Sequence, residues 1–452
     1  MPRPRRHAAR SASSPYKKKI QRVISPAAVG GDTGLPDDVL ADIFSRLPHT
    51  ADVVRCAATC SLWARAVAAR AADLSRALPP MGRFVPELAV GLFHQEQDGP
   101  TPRTRRRSRT GAARPPCFLP LASGFGRRTG SLLALDGGSG DEVLNCSRPV
   151  ASRNGRLVLE LRRASRADGL AFCVCNPITG DAAVLPELTG DERPTDYGCA
   201  LLTGDDLDHP RRCNTKFFFR LLLIYNRPRF TTVLRCYSSD TGRWETEVTS
   251  SVKVSTWELH HMGPSVVRRG VAFWPLDHGA LGVRLGDHDQ LDRAADVHLL
   301  PYNVPSHRCP EKRLLGVSPD DGRLFFLHLS IRMGLNVLSA KISYFDIPGD
   351  DDISAGRKES SSFEQAVMMH QMKIEWWDNI DSVKLRWVGE KSGVVLFTMG
   401  QGSTHDGTFA LSLRDGTVEK VAAGEGDSWR NMLGFEMDGA MYLASLLPRG
   451  EN

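Results

Sequence analysis

Residues 35–48 read Leu-Pro-Asp-Asp-Val-Leu-Ala-Asp-Ile-Phe-Ser-Arg-Leu-Pro, and residues 53–67 read Val-Val-Arg-Cys-Ala-Ala-Thr-Cys-Ser-Leu-Trp-Ala-Arg-Ala-Val. Pro36 suits the opening of a helix, where a missing N–H costs nothing, and Asp37 and Asp38 sit where the helix dipole favours carboxylates. Val39, Leu40, Ile43, Phe44 and Leu47 recur at three- and four-residue spacing as one apolar stripe. Pro48 ends that helix, and Thr50 is expected to cap the next, with Asp52 in its first turn. Val53, Val54, Ala57 and Ala58 form a second stripe, and Leu62, Trp63, Ala66 and Val67 a third. A unit of about forty residues hides too little apolar surface to be stable alone. The surplus must lie against something else, so the segment reads as a docking element.

The rest of the chain sets the context. Its 452 residues allow two or three domains, and 41% hydrophobic with 24% charged residues is ordinary globular composition. No apolar run approaches the roughly 18 residues of a membrane span, so no membrane partner is expected. Residues 1–31 carry eight Lys or Arg and no acid, and 99–135 carry another eight with none, centred on Arg103, Arg105, Arg106, Arg107 and Arg109. Setting these sixteen cations aside turns the net charge of +6 into −10. The body is therefore acidic, and the basic stretches read as a tail and a linker. Such stretches can also serve nuclear import or nucleic-acid contact, and the N-terminus has the acid-free look of a transit peptide. The ten cysteines are too scattered for a disulfide framework. Cys173 and Cys175 alternate on a strand, and Cys56 and Cys60 lie a helical turn apart. Neither pair has a second pair at zinc spacing.

From about Cys117 the pattern changes to short β-like runs. Asn154-Gly155, Arg269-Gly270, Asp321-Gly322, Ser392-Gly393 and Asp438-Gly439 each precede a run of apolar and aromatic residues. Gly180, Gly242 and Gly416 sit in turns between two strands. The alternation predicts antiparallel blades near 151–188, 197–249, 262–301, 312–348 and 383–422, a six-bladed β-propeller. Strands in 428–447 are expected to be completed by 118–146, through Leu132–Leu135 and Val143-Leu144, which removes exposed edges. The alternative is a β-sandwich or two smaller β-domains.

The first stretch resembles the F-box. The matching residues are Leu35-Pro36, Val39-Leu40, Ile43-Phe44, Leu47-Pro48, Val53-Val54, Arg55-Cys56-Ala57, Thr59-Cys60 and Trp63; the usual Trp-Arg ending is softened to Trp63-Ala64-Arg65. The β-rich region looks like the F-box-associated, kelch-related propellers of plant F-box proteins, especially those of grasses, without a regular double glycine. The resemblance implies a basic tail at 1–31, an all-α F-box module at 32–80, a linker at 81–116 and a β-propeller-like domain at 117–448. It implies the substrate receptor of an SCF-type cullin–RING ubiquitin ligase in the nucleus or cytoplasm. A Skp-type adaptor would bind Leu35, Pro36, Leu40, Ile43, Leu47, Pro48, Val54 and Trp63 and link the chain to cullin and RING subunits, while the β-domain holds a target protein. The alternative is an adaptor-bound scaffold that promotes no degradation, with its basic segments on nucleic acid.

Catalytic patterns are missing from the sequence: it has no Gly-x-Ser-x-Gly, no Gly-x-x-x-x-Gly-Lys and no His-Glu-x-x-His. No catalytic residue, cofactor or metal is expected. His260-His261, Asp277-His278, Asp287-His288-Asp289 and Asp350-Asp351-Asp352 read as loop residues. Most tryptophans read as core; Trp376-Trp377 is the exception, because neighbours on a strand face opposite ways.

Overall fold

The computed structural model describes residues 35–78, 82–96, 116–122, 147–161, 169–188, 194, 196–206, 217–227, 231–277, 279–284, 296–301, 313–332, 337–345, 368–373, 382–401, 404–423 and 429–446. The N-terminal stripes form four short helices, Asp37–Ser45 (α1), Thr50–Thr59 (α2), Ser61–Ala69 (α3) and Ala71–Ala77 (α4). Leu40, Phe44, Val53, Val67 and Leu74 share their core. Thr50 is the first helical residue rather than the cap. His49 holds the cap position without a side-chain bond, its extended backbone offering a carbonyl to the Asp52 amide at 2.9 Å.

Past the helices lie Ala89–Glu96 (β1) and Cys117–Pro120 (β2), then antiparallel blades in chain order, of four strands each in I, III, IV and V and five in II. Blade I is Ser147–Arg153 (β3), Arg156–Leu161 (β4), Ala171–Cys175 (β5) and Ala182–Val184 (β6). Blade II is Tyr197–Thr203 (β7), Phe219–Arg227 (β8) and Thr231–Ser238 (β9), with Arg243–Trp244 (β10) and Val248–Thr249 (β11) both paired to β9. The helix Thr256–His260 (α5) leads to blade III, which is Val266–Arg268 (β12), Val271–Leu276 (β13), Gly279–Arg284 (β14) and Asp296–Pro301 (β15). Blade IV is Arg313–Val317 (β16), Leu324–Arg332 (β17), Val337–Tyr344 (β18) and Met368–Lys373 (β19). Blade V is Ser382–Val388 (β20), Val394–Gln401 (β21), Thr404–Ser412 (β22) and Val418–Ala423 (β23). Trp429–Glu436 (β24) opens blade VI and the helix Gly439–Ala444 (α6) follows.

The first strands touch in the cycle β3, β7, β12, β16, β20, β24 and back to β3, which makes the all-β region a six-bladed propeller. Apolar side chains fill the spaces between neighbouring blades; Val158, Phe172, Leu201 and Leu221 join blades I and II, and Phe325, Leu327, Phe397 and Phe409 join IV and V.

Blade VI closes differently from the sequence expectation. Its order is β24, β1, β2, so the middle strand comes from 89–96, inside the stretch expected to be linker. Leu132–Leu135 and Val143-Leu144 lie outside the described residues. Strand β1 escapes a pattern search because polar His94 and Gln95 are buried in it; Gln95 donates to the Ser147 carbonyl at 2.7 Å and accepts from the Asn431 side-chain amide at 2.7 Å. Four of the five turn glycines, 155, 270, 322 and 393, have positive φ at the turn from the first to the second strand of blades I, III, IV and V. In blade I, Asn154 (φ 47°) and Gly155 (φ 70°) make the two-residue turn that needs left-handed backbone at both positions.

The fifth, Gly439, starts a helix instead of a strand. Asp438 caps it by accepting from the Met441 amide at 2.7 Å, so the Ala-Met-Tyr-Leu run expected to be β is α6. Leu443 enters the core of the four N-terminal helices, while Tyr442 packs into the core of the closing blades. One short helix thus joins module to propeller.

Candidate functional site

Helix α1 divides its apolar residues between two directions. Leu40 and Phe44, each 2% exposed, point into the helical core, where the Trp63 ring meets Phe44 edge-on at 5.7 Å. Val39 and Ile43, one turn apart on the helix, and Leu35 just before it stay 39%, 44% and 52% exposed. These three make up half of the large hydrophobic side chains left exposed among the described residues. Pro36 and Pro48 are also exposed, and Leu47 is half-buried beside them. The result is an outward apolar ridge flanked by Asp37, Asp38 and Asp42. An apolar ridge with a polar border is the anatomy of a protein–protein contact.

The eight residues expected to meet an adaptor therefore fall into three groups. Leu35, Pro36, Ile43 and Pro48 face out, Leu40 is interior, and Leu47, Val54 and Trp63 are intermediate. Val54 touches both the helical core and the core of the closing blades, so it supports the joint to the propeller. Val39 belongs on the ridge and was absent from the expected set; its spacing of four from Leu35 and Ile43 is the signal that reveals it.

A second cluster lies at the ring axis, on the face that carries the turns after the first strands. Arg153 Nε donates to Glu390 Oε2 at 2.8 Å, and its Nη atoms grip both oxygens of Asp206. Glu390 also accepts from the Val267 amide at 3.1 Å, while Glu436 accepts from the amides of Lys391 and Ser392. Burial works against the Arg153 charge, yet Asp206 and Glu390 outweigh it and hold the guanidinium above its usual pKa. Glu390 is pushed up to about 7, first by burial, with Arg153 pulling it down and Glu436 and Asp206 adding to the rise. The two shifts agree once the charges are counted, since one guanidinium cannot neutralise three carboxylates. This network ties residues of several blades together beside a small axial pocket that Trp387 and Val388 also line, and its charged groups are spent on one another and on backbone amides, so it is read as structural.

The other sequence candidates separate. His260 pairs with Asp196 at 2.9 Å, and among the described residues no group of three metal-ligating side chains converges. Cys173 and Cys175 are buried side by side on β5, Cys56 is half-buried and Cys60 exposed, all unbridged. Trp274 and Trp387 are core, whereas Trp257 is 45% exposed. Trp376-Trp377, His278, Asp287–Asp289, Asp350–Asp352, the basic tail and residues 99–115 lie outside the described residues. Among the described residues no helix is long and apolar enough to cross a membrane.

Comparison with known proteins bears on the helical module. Residues 33–71 match the family described as F-box-like. No curated protein matches the chain. Among solved structures, a functionally unknown protein from Desulfotomaculum acetoxidans is similar at 8% identity over 65% of this chain and 90% of its own, TM-score 0.30. AofleA from Arthrobotrys oligospora is similar at 9% over 67% and 74%, TM-score 0.31. A Penicillium chrysogenum alpha-L-arabinanase complexed with arabinobiose is similar at 12% over 64% and 83%, TM-score 0.29. Scores this low carry no argument about fold or activity. The chain thus carries an F-box-like domain at 33–71 joined to a six-bladed propeller.

Proposed function

We propose that this chain is the substrate-receptor subunit of an SCF-type cullin–RING ubiquitin ligase. The observation that carries the reading is the outward ridge of Leu35, Val39 and Ile43 within an F-box-like domain. In this reading a Skp-type adaptor covers the ridge, with Pro36, Leu47 and Pro48 at its edge, and brings cullin and RING subunits. The propeller, of the kelch-related kind found in plant F-box proteins, holds a target, and proximity to the conjugating enzyme does the rest. The chain performs no bond chemistry itself, and it works where its ligase partners are, in the nucleus or cytoplasm.

The joint through α6 favours a receptor over a loosely tethered scaffold. Leu443 is fully buried among the module's helices and Tyr442 among the blades, which fixes the propeller's direction relative to the helical module. Affinity capture of the full chain with proteasome activity blocked tests the proposal. Adaptor and cullin should co-purify together with a target that accumulates when the chain is deleted. Capture of adaptor without cullin, or a target whose abundance ignores the deletion, would favour the scaffold.

A further inference from the structure

The propeller has a face directed away from the helical module. Strand β12 ends at the Arg269-Gly270 turn on the near face, so its start at Val266, the preceding helix α5 and the end of β13 lie on the far one. There Trp257, Gly263, Pro275 and Leu276 line a shallow surface cleft, with Glu258, Asp277, His261 and Arg313 around it.

Trp257 is exposed yet held. Ser255 and Glu258 form a capping box at the start of α5, with the Glu258 amide donating to Ser255 Oγ at 3.1 Å and the Ser255 amide to Glu258 Oε2 at 2.9 Å. On one side the His261 ring lies 4.5 Å from the indole, and its Nδ1–H donates to the Trp257 carbonyl at 2.8 Å. An aromatic ring fixed in this way loses little entropy when something packs on its free face.

Among the described residues two carboxylates, Glu258 and Asp277, border the cleft against one guanidinium, Arg313, whose Nη1 donates to the Asp277 carbonyl at 3.0 Å. The neighbouring His260 is engaged by Asp196. Indole face and surplus carboxylate both attract a cation. We propose that this cleft takes a lysine or arginine side chain of a partner protein, seated between the open face of Trp257 and the carboxylates of Glu258 and Asp277. The proposal rests on the receptor reading only in naming that partner the ligase target.

The test uses the full chain and two short fluorescent peptides, one alternating lysine with alanine and one alternating glutamate with alanine, with adaptor binding measured in parallel. The basic peptide should bind, weaken with salt, and lose about tenfold in affinity with Trp257→Ala and again with Glu258→Gln/Asp277→Asn. The glutamine keeps the capping box, so loss in that variant reports charge rather than folding. Adaptor affinity should be unchanged in both variants. Unaltered binding in either variant, or equal binding of the acidic peptide, would overturn the proposal. So would an affinity that climbs once Arg103, Arg105, Arg106, Arg107 and Arg109 become alanine, since the chain's own basic stretch would then be the occupant.

Discussion

Arg153 and Glu390 stand 237 residues apart in the chain and bond at 2.8 Å across the propeller axis. The side chains of Arg153, Asp206 and Glu390 are 9%, 7% and 12% exposed, so solvent screens their interaction little. Arg153→Met keeps much of the volume and leaves buried carboxylates without a counter-charge. It should cost about 3–5 kcal/mol in urea unfolding of the β-domain.

The same cluster gives a pH dependence of definite sign. Glu390 binds its proton more tightly in the folded state, about 7 against an ordinary 4.5. Its contribution is therefore complete below pH 4.5 and is lost as the pH rises towards 7, at a ceiling of ~3 kcal/mol. Glu390→Gln should remove that slope. Thermal unfolding of wild type and variant from pH 5 to pH 8 measures it; parallel curves would mean that Glu390 titrates normally.

Closure of blade VI depends on Gly91. A Cβ there would stand 2.3 Å from the Phe118 ring and 2.4 Å from the Leu119 carbonyl oxygen. The ring can turn, but the backbone cannot move without breaking the β1–β2 pairing. Gly91→Ala should cost about 1–3 kcal/mol and speed hydrogen exchange in 117–120 first.

Leu443 locks module to propeller. Leu443→Ala removes a fully buried side chain from the helical core and should destabilise that core by about 2–5 kcal/mol. Exchange should rise in α3, α4 and α6 while blades II to IV stay protected.

Much of this architecture was legible because it depends on local chemistry. Asn154-Gly155 and Arg269-Gly270 announce their turns through left-handed backbone, and the stripe of α1 announces its helix. What escaped depends on distant partners. Strand β1 pairs with residues more than three hundred positions away, and its His94 and Gln95 look like surface until those partners are in place. Helix α6 reads as a strand because Asp438-Gly439 starts like the other turns; only Leu443's place among the N-terminal helices explains it. Of the site, spacing showed the ridge but could not tell Leu40 from Val39, since that choice is made by helices α2 to α4.

That distinction supplies the most direct measurement, the affinity of the purified chain for a Skp-type adaptor by titration calorimetry. Val39→Ala/Ile43→Ala should leave thermal stability within about 1 kcal/mol of wild type, as exposed positions do. The same variant should weaken adaptor binding at least tenfold, about 1.4 kcal/mol. Full affinity in a folded Val39→Ala/Ile43→Ala protein would show that the ridge is not the docking surface.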